Sequence, residues 1–259
     1  MEIAVANRYK LKKYNVITSS DIGIFIINKN DTGVGWQLSQ FGTYDQKELE
    51  AIREIMRFLR TLNPKLVALD IGANIGIHSV VLSSEVGEGR VYSFEAQRVV
   101  FNMLVGNIAL NSLENVFCYH NAVSNQNELI DIPTFDYGKP MSFGSVEFGG
   151  AQNESIGQSP FFGACEKVPT IVLDEVNFQQ VNFMKIDVEG MEIKVLLGAK
   201  NLIDKFKPII LVEYLKSDKD ELIYFLKNMD YKIYIGLGAN YLCVPTNLKF
   251  SLSSLQEVT

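Results

Sequence analysis

The stretch Val67-Ala-Leu-Asp-Ile-Gly-Ala-Asn-Ile-Gly76 limits the possible folds more than any other part of the chain. Leu66 to Ile71 is apolar except for Asp70, the pattern of a parallel strand covered on both faces, and Asp70 falls at its carboxyl end. Gly72 and Gly76 permit a tight turn and a close approach of backbone to a ligand, and Asn74 is placed to cap a helix through about Glu85. In open α/β sheets ligands bind at that edge.

The chain continues in alternation. Arg90 to Glu95 reads as a second strand, Val99 to Leu110 as a helix and Val116 to Val123 as a third strand, so parallel strands with right-handed crossovers are expected. Further on come a fourth strand at Val181–Gly190, a helix from about Met191 to Phe206 and an apolar strand, Pro208 to Tyr214, that ends in Glu213. Helix Lys219–Met229, strand Tyr231–Gly236 and a last apolar piece, Tyr241–Val244, close the pattern.

Ahead of the first strand, Leu49, Ile52, Ile55, Met56 and Leu59 recur at helical spacing between Asp45 and Leu62, and the run stops before Pro64. The first forty residues mix short apolar pieces such as Ile22–Ile27 with turn formers from Asn28 to Gly35, which suits a small hairpin or cap. The expected organisation is an N-terminal cap and lead-in helix over 1–62 and one α/β domain over 63–259. Within the domain, Ile130 to Val168 interrupts the alternation. Gly138, Gly144, Gly149, Gly150, Gly157 and Gly163 are interleaved there with Phe143, Phe148, Phe161 and Phe162. A lid over the substrate pocket is the preferred reading, ahead of a floppy surface insertion.

The glycine turn spells Asp-x-Gly-x-Asn-x-Gly, and the dinucleotide fingerprint would need glycine where Asn74 stands. A pyrophosphate requires bare backbone at a helix N-terminus, whereas a phosphate-free nucleoside does not. S-adenosylmethionine is such a ligand. Asp70 can oppose its ammonium, directly or through water, while turn N–H groups take its carboxylate. Glu95 has the spacing of a ribose-binding carboxylate, and Asn121 to Ser124 would lie at the same edge as candidates for the adenine pocket. The bland readings are a turn-stabilising acceptor for Asp70, a solvated strand end for Glu95 and a turn cap for Asn121.

Lys185, Asp187 and Glu189 alternate along the fourth strand and would share one side, with neighbours about 7 Å apart if the chain stays extended. Three charges at a buried carboxyl end imply a site or a paired network. Asp187 or Glu189 could take a proton from an acceptor hydroxyl, with Lys185 tuning them. His78, at the start of the first helix, is a further candidate base, against a packing or capping role. His120 is expected to be structural. Asp187, Glu189 and Glu213 could gather a divalent cation, but no histidine or asparagine lies near them in sequence, and no metal is expected. Glu192, early in a helix, needs no function.

A length of 259 residues suits one α/β domain with an added element. The formal charge of −6, with no dense basic block beyond Lys10-Leu-Lys12-Lys13, does not suggest nucleic acid or anionic lipid as a partner. A small-molecule or glycan acceptor fits better. Cys118, Cys165 and Cys243 are odd in number and widely spaced, so neither a disulfide framework nor a Cys-x-x-Cys metal site is indicated. With no apolar run of transmembrane length and no signal-peptide pattern at Met1–Asn7, a cytoplasmic location is the default expectation.

Taken together, Leu69–Gly76, Phe94-Glu95, Asn121–Ser124 and Lys185-Ile-Asp-Val-Glu-Gly-Met-Glu192 resemble the FkbM family of S-adenosylmethionine-dependent methyltransferases, in motif order from about Phe41 to Tyr214. Leu196–Ala199 and Pro208–Glu213 fit it too. The resemblance implies a class I methyltransferase fold: a Rossmann-like, seven-stranded, mostly parallel sheet with helices on both faces and the last strand antiparallel. It also implies O-methylation of a hydroxyl on a sugar, glycan or natural product. The expected donor contacts are Asp70, Gly72, Ala73, Asn74, Gly76, Glu95, Ala96, Asn121, Ala122 and Asp187, and the catalytic candidates are Asp187, Glu189, His78 and Lys185. Glu95-Ala-Gln97 departs from the family, which often has proline and asparagine after the acid. The alternatives are an NAD(P)-dependent Rossmann oxidoreductase, which should carry the fingerprint that Asn74 interrupts, and a module that binds the donor without turnover.

Overall fold

In the computed structural model, residues 14–148, 152, 155–159, 165–250, 252 and 255–258 are described. The basic block at Lys10–Lys13, the Met1–Asn7 start and Gly149, Gly150, Phe161, Phe162 and Gly163 lie outside them. In chain order the strands are β1 (Asn15–Ser20), β2 (Gly23–Asn28), β3 (Val67–Ile71), β4 (Arg90–Phe94), β5 (Val116–Tyr119), β6 (Ala122–Val123), β7 (Leu129–Pro133), β8 (Cys165–Ile171), β9 (Phe183–Ile186), β10 (Ile209–Glu213), β11 (Tyr231–Leu237), β12 (Asn240–Pro245) and β13 (Gln256–Glu257). The helices are α1 (Val34–Phe41), α2 (Gln46–Leu62), α3 (Ile77–Glu85), α4 (Arg98–Leu110), α5 (Glu192–Gly198), α6 (Lys200–Phe206) and α7 (Lys219–Asn228).

Alternating side chains divide the sheet into two faces. Ala68, Phe183, Ile209 and Leu211 enter one core with Leu49, Ile52, Ile55 and Met56 of α2. Leu69, Ile71, Met184, Ile186, Ile210 and Val212 enter the other, with Val195, Leu196 and Leu222. Both faces are buried under apolar side chains, as a period-2 pattern on a sheet covered twice requires.

The central sheet runs β13-β11-β12-β10-β9-β3-β4-β5. β5, β4, β3, β9 and β10 are parallel in successive pairs, and β12 is antiparallel to both β10 and β11. The central sheet is mostly parallel with helices on both faces, as the resemblance implied, with 8 strands among the described residues where seven were expected. The additional strand is β13, whose Gln256 and Glu257 cover the edge of β11 at Ile235 and Tyr234. Among the described residues no helix is long and apolar enough to cross a membrane.

Local departures from the sequence reading have identifiable causes. The strand expected over 116–123 breaks after Tyr119, because Ala122 and Val123 leave the central sheet to pair with Thr170 and Ile171 in a small sheet of order β6-β8-β7. The helix expected over 191–206 is two, since Asp174 accepts hydrogen bonds from Leu202 N (2.7 Å) and Asn201 N (3.0 Å) and so starts a second N-terminus at α6. Gly198, just before the break, sits where a Cβ would be 2.1 Å from the Ser124 carbonyl oxygen. Asn74 is not the cap of α3. It adopts φ 51° inside the turn, and the helix starts after Gly76 at φ 92° without a side-chain cap. α1, hidden among the turn formers, opens with Asp31 accepting from Gly33 N (3.0 Å) and Gly35 N (2.7 Å).

The hairpin β1–β2 is held by α4 through a pair of asparagines one helical turn apart. Asn107 accepts from Ile26 N (2.5 Å) and donates to the carbonyls of Ile26 and Ile75, while Asn111 accepts from Ile24 N (2.9 Å) and donates to Ile24 O (2.7 Å). The interrupted region folds back on itself, with β7 and β8 antiparallel and Phe143 2% exposed in the core.

Candidate functional site

A cleft of about 290 Å³ opens at the carboxyl ends of β3, β4, β9 and β10. The order of the parallel strands reverses between β3 and β9, which is where open α/β sheets leave a crevice. One wall consists of Gly72 to Asn74, Glu95 to Gln97, and Asn121 and Ala122. His78, Asp187, Glu189 and Glu213 line it as well, with Tyr44, and Ser142, Gly144, Ser145, Val146 and Phe148 contribute from the interrupted region. No lysine or arginine lines it among the described residues.

Glycine at position 72 is dictated by geometry: its φ is 82°, and a Cβ would lie 1.8 Å from the Asp187 carbonyl oxygen. Two strand ends therefore touch through bare backbone. Gly72 N and Ala73 N both donate to Phe94 O at 2.9 Å, which ties the turn to β4. Glu95 completes the wall, its carboxylate accepting from Asn74 N (2.9 Å) and Gln97 N (2.7 Å). It is 6% exposed, and burial pushes its pKa up to about 7 despite those backbone donors.

Asp70 lies beneath this surface rather than on it. It is fully buried, is not among the cleft-lining residues, and accepts from the Ser79 hydroxyl at 2.5 Å, with Ser79 paired in turn to Ser93. Its other oxygen has no hydrogen-bond partner. Lys185 is its register partner on β9, so the pair shares one face of the sheet. Lys185, 1% exposed, also does not line the cleft; its Nζ stands 2.9 Å from Asp187 Oδ2 and 4.0 Å from Glu48 Oε1. Burial would favour the neutral amine, but the carboxylates of Asp187, Glu48 and Asp70 reverse that and raise its pKa.

Glu48 comes from the first turn of α2. Asn240 of β12 donates to its Oε2 at 2.8 Å, and His78 Nε2 approaches its Oε1 to 2.9 Å without the alignment of a hydrogen bond. Burial opposes its charge, yet His78, Lys185 and Asn240 outweigh burial and hold its pKa well below the usual carboxylate range.

The extended alternation read into 185–189 ends after Ile186. Glu189 turns at φ 56° and meets Lys216 Nζ at 2.5 Å, while the same ammonium donates to Ser145 O at 3.1 Å. Burial and the Asp187 charge lift Glu189 to about 7. Glu213 has a buried oxygen without a hydrogen-bond partner, and burial with the neighbouring Asp187 and Glu189 charges pushes its pKa to about 9. Glu192 staples the turn by accepting from Val188 N (3.0 Å) and Gly190 N, and takes the Ser217 hydroxyl as well.

Of the remaining candidates, Asn121 lines the cleft and donates to Pro169 O at 3.1 Å; Gly76 is not a lining residue and packs against Leu104. His120 stacks on Phe101 at 5.1 Å and faces Ala96 O. Among the described residues no group of three or more His, Cys, Asp and Glu could hold a metal ion.

Sequence reasoning missed Glu48, Tyr44 and Lys216. For Glu48 a signal existed, since it precedes Ile52 by one helical turn and so belongs to the buried stripe of α2. Tyr44 and Lys216 lie in connections, where periodicity carries no information.

Residues 70–233 match the family described as the methyltransferase FkbM domain. No curated protein sequence matches the chain. Among solved structures, methyltransferase FkbM from Methylobacillus flagellatus KT is 18% identical with a TM-score of 0.49, over 70% of this chain and 43% of that one, so the chain spans less than half of that protein. An rRNA methylase from Streptococcus thermophilus is 10% identical with a TM-score of 0.46, covering 78% and 96%. M. jannaschii TYW2 in complex with AdoMet is 14% identical with a TM-score of 0.45, covering 90% and 84%. Since the matched residues 70–233 are more than half of the 259, the chain belongs to the FkbM methyltransferase family.

Proposed function

We propose that the cleft binds S-adenosylmethionine along the wall formed by Gly72–Asn74, Glu95–Ala96 and Asn121–Ala122, and that the protein methylates a hydroxyl of a sugar, glycan or natural-product acceptor held against Asp187 and Glu189. The observation that carries this reading is the acidic lining: Asp187 faces the cleft with Glu95 and Glu189, whose burial raises their pKa to about 7, and with Glu213, which burial and its acidic neighbours keep protonated at neutral pH, and no lysine or arginine is among the described lining residues. A dinucleotide would bring its phosphates against these acids, whereas a nucleoside with a cationic sulfur and ammonium is attracted to them. The bare backbone at Gly72 and the unpartnered oxygens of Gln97 and Glu213 suit a polar ligand lying close to the strand ends.

When bound, the donor supplies a methyl group on a positively charged sulfur, already activated for displacement. The chain's part is to position and to accept a proton. Glu95 offers oxygen lone pairs beyond the two backbone bonds it makes, suited to ribose hydroxyls. Asp187, one third exposed and paired with Lys185, is the candidate base, with Glu189 beside it and His78 as the further candidate. Asp70 and Lys185, sealed beneath the cleft, serve as positioning charges in this scheme and hold Asp187 in place.

Calorimetry with S-adenosylhomocysteine and, separately, NAD tests the donor assignment. Binding of the first alone is expected; binding of NAD alone would return the chain to the oxidoreductase reading. Turnover of labelled S-adenosylmethionine with a panel of hydroxylated acceptors then tests the acceptor class, and transfer to amines alone would overturn the hydroxyl assignment.

A further inference from the structure

The side chain of Gln97 joins the cleft wall at Glu95 to the segment around Phe143. It is 4% exposed and lines the cleft. Its Nε2 donates to the carbonyl oxygen of Phe143 at 2.7 Å. That contact fixes the amide orientation, because the flipped amide would set oxygen against oxygen. Oε1 is therefore the free atom, and it is buried without a hydrogen-bond partner. A buried amide oxygen left open in this way asks for an N–H or O–H from something that enters the cleft.

The segment around Phe143 is drawn to the same wall a second time. Gly144 approaches Asn74 so closely that a Cβ would lie 2.5 Å from Nδ2. Phe143 is 2% exposed and packs on Tyr137 at 4.9 Å, and Lys216 holds Ser145 O from the acceptor side. Residues 141–148 thus form a roof fastened to the wall through Gln97.

We infer that Gln97 is a specificity and positioning residue whose Oε1 accepts a hydrogen bond from the nucleoside of the donor while its Nε2 holds the roof, so that donor binding and roof order are coupled through one amide. The inference rests on the donor assignment made above. The coupling is reciprocal: a roof held by Nε2 fixes Oε1 for the nucleoside, and a nucleoside on Oε1 keeps Nε2 on the roof.

The test uses the full chain and S-adenosylhomocysteine. Calorimetry gives affinity, and hydrogen exchange follows the amides of 141–148 with and without the ligand, in the parent and in Gln97→Met, which keeps length and removes both polar functions. The expected results are about ten-fold weaker binding in the variant, faster exchange of 141–148 without ligand, and no further protection on adding it, whereas the parent gains protection. Equal affinity and equal protection in the two proteins overturn the inference and leave the donor assignment standing. A parent that takes no S-adenosylhomocysteine overturns both. Should Gln97→Met not fold, the unaltered protein crystallised with the ligand decides: Oε1 within hydrogen-bond distance of a nucleoside N–H or O–H supports the inference, and Oε1 still unfilled overturns it. Analogues distinguish the nucleoside's two sources of that hydrogen. Replacing the adenine amine by oxygen, or removing a ribose hydroxyl, should erase the difference between parent and variant for one analogue; a difference that survives both overturns the contact.

Discussion

Lys185 Nζ stands 2.9 Å from Asp187 Oδ2 at the end of β9, the lysine sealed from water and the carboxylate one third exposed to the cleft. Lys185 is also the register partner of Asp70 on β9, and the Asp70 charge is among those that raise the lysine's pKa. A single buried cation therefore serves an acid below the cleft and an acid in it, and its removal leaves both uncompensated. Lys185→Met is expected to destabilise the fold by about 3–5 kcal/mol, measured by urea unfolding. A loss under about 1 kcal/mol would mean that water enters and solvates the carboxylates that the ammonium had neutralised.

Glu48 contributes through its charge. Its pKa is depressed in the folded state, so its contribution is fully present above the ordinary value of 4.5 and is lost as pH falls through the folded value. Glu48→Gln should cost about 1–3 kcal/mol near neutral pH, and the difference from the parent should shrink on acidification. Denaturation series at neutral and acid pH check this, and a pH-independent difference would assign the effect to packing instead.

Glu213 behaves in the opposite sense. It titrates near 4.5 when unfolded and at about 9 when folded. Between these values the native state holds a proton that the unfolded chain has lost, so stability falls as pH rises through the window. Glu213→Gln stays neutral throughout. Its thermal midpoint should gain on the parent's from about pH 5 to about pH 9; parallel curves would show that another group compensates the carboxylate.

Glu95→Gln separates acceptor capacity from shape. The native carboxylate accepts from Asn74 N on one oxygen and Gln97 N on the other, and a carboxamide must turn its NH₂ toward one of those donors. A stability loss of about 1–3 kcal/mol is expected, together with weaker S-adenosylhomocysteine binding by calorimetry. Unchanged affinity alongside lost stability would restrict Glu95 to shaping the turn.

The sequence by itself determined the parallel strands, most helices between them and the set of carboxylates at their ends. Apolar runs such as Leu66–Ile71 and Ile209–Val212 can be buried on both faces in one way only, and the glycine at 72 announces a contact that no side chain could make. Which of those carboxylates faces the cleft was decided by the tertiary structure. Asp70 and Asp187 look alike as strand-end acids, yet Asp70 is enclosed by Ser79 and Lys185 while Asp187, beyond the last paired residue of β9, turns toward solvent. Glu48, Gln97, Lys216 and the roof at 141–148 reach the same place from segments far apart in the chain. Only packing brings them together: the helical period of α2 marks Glu48 as buried but not what it meets, and for Gln97, Lys216 and the roof the partners are supplied by other elements and leave no period or spacing in the sequence to read.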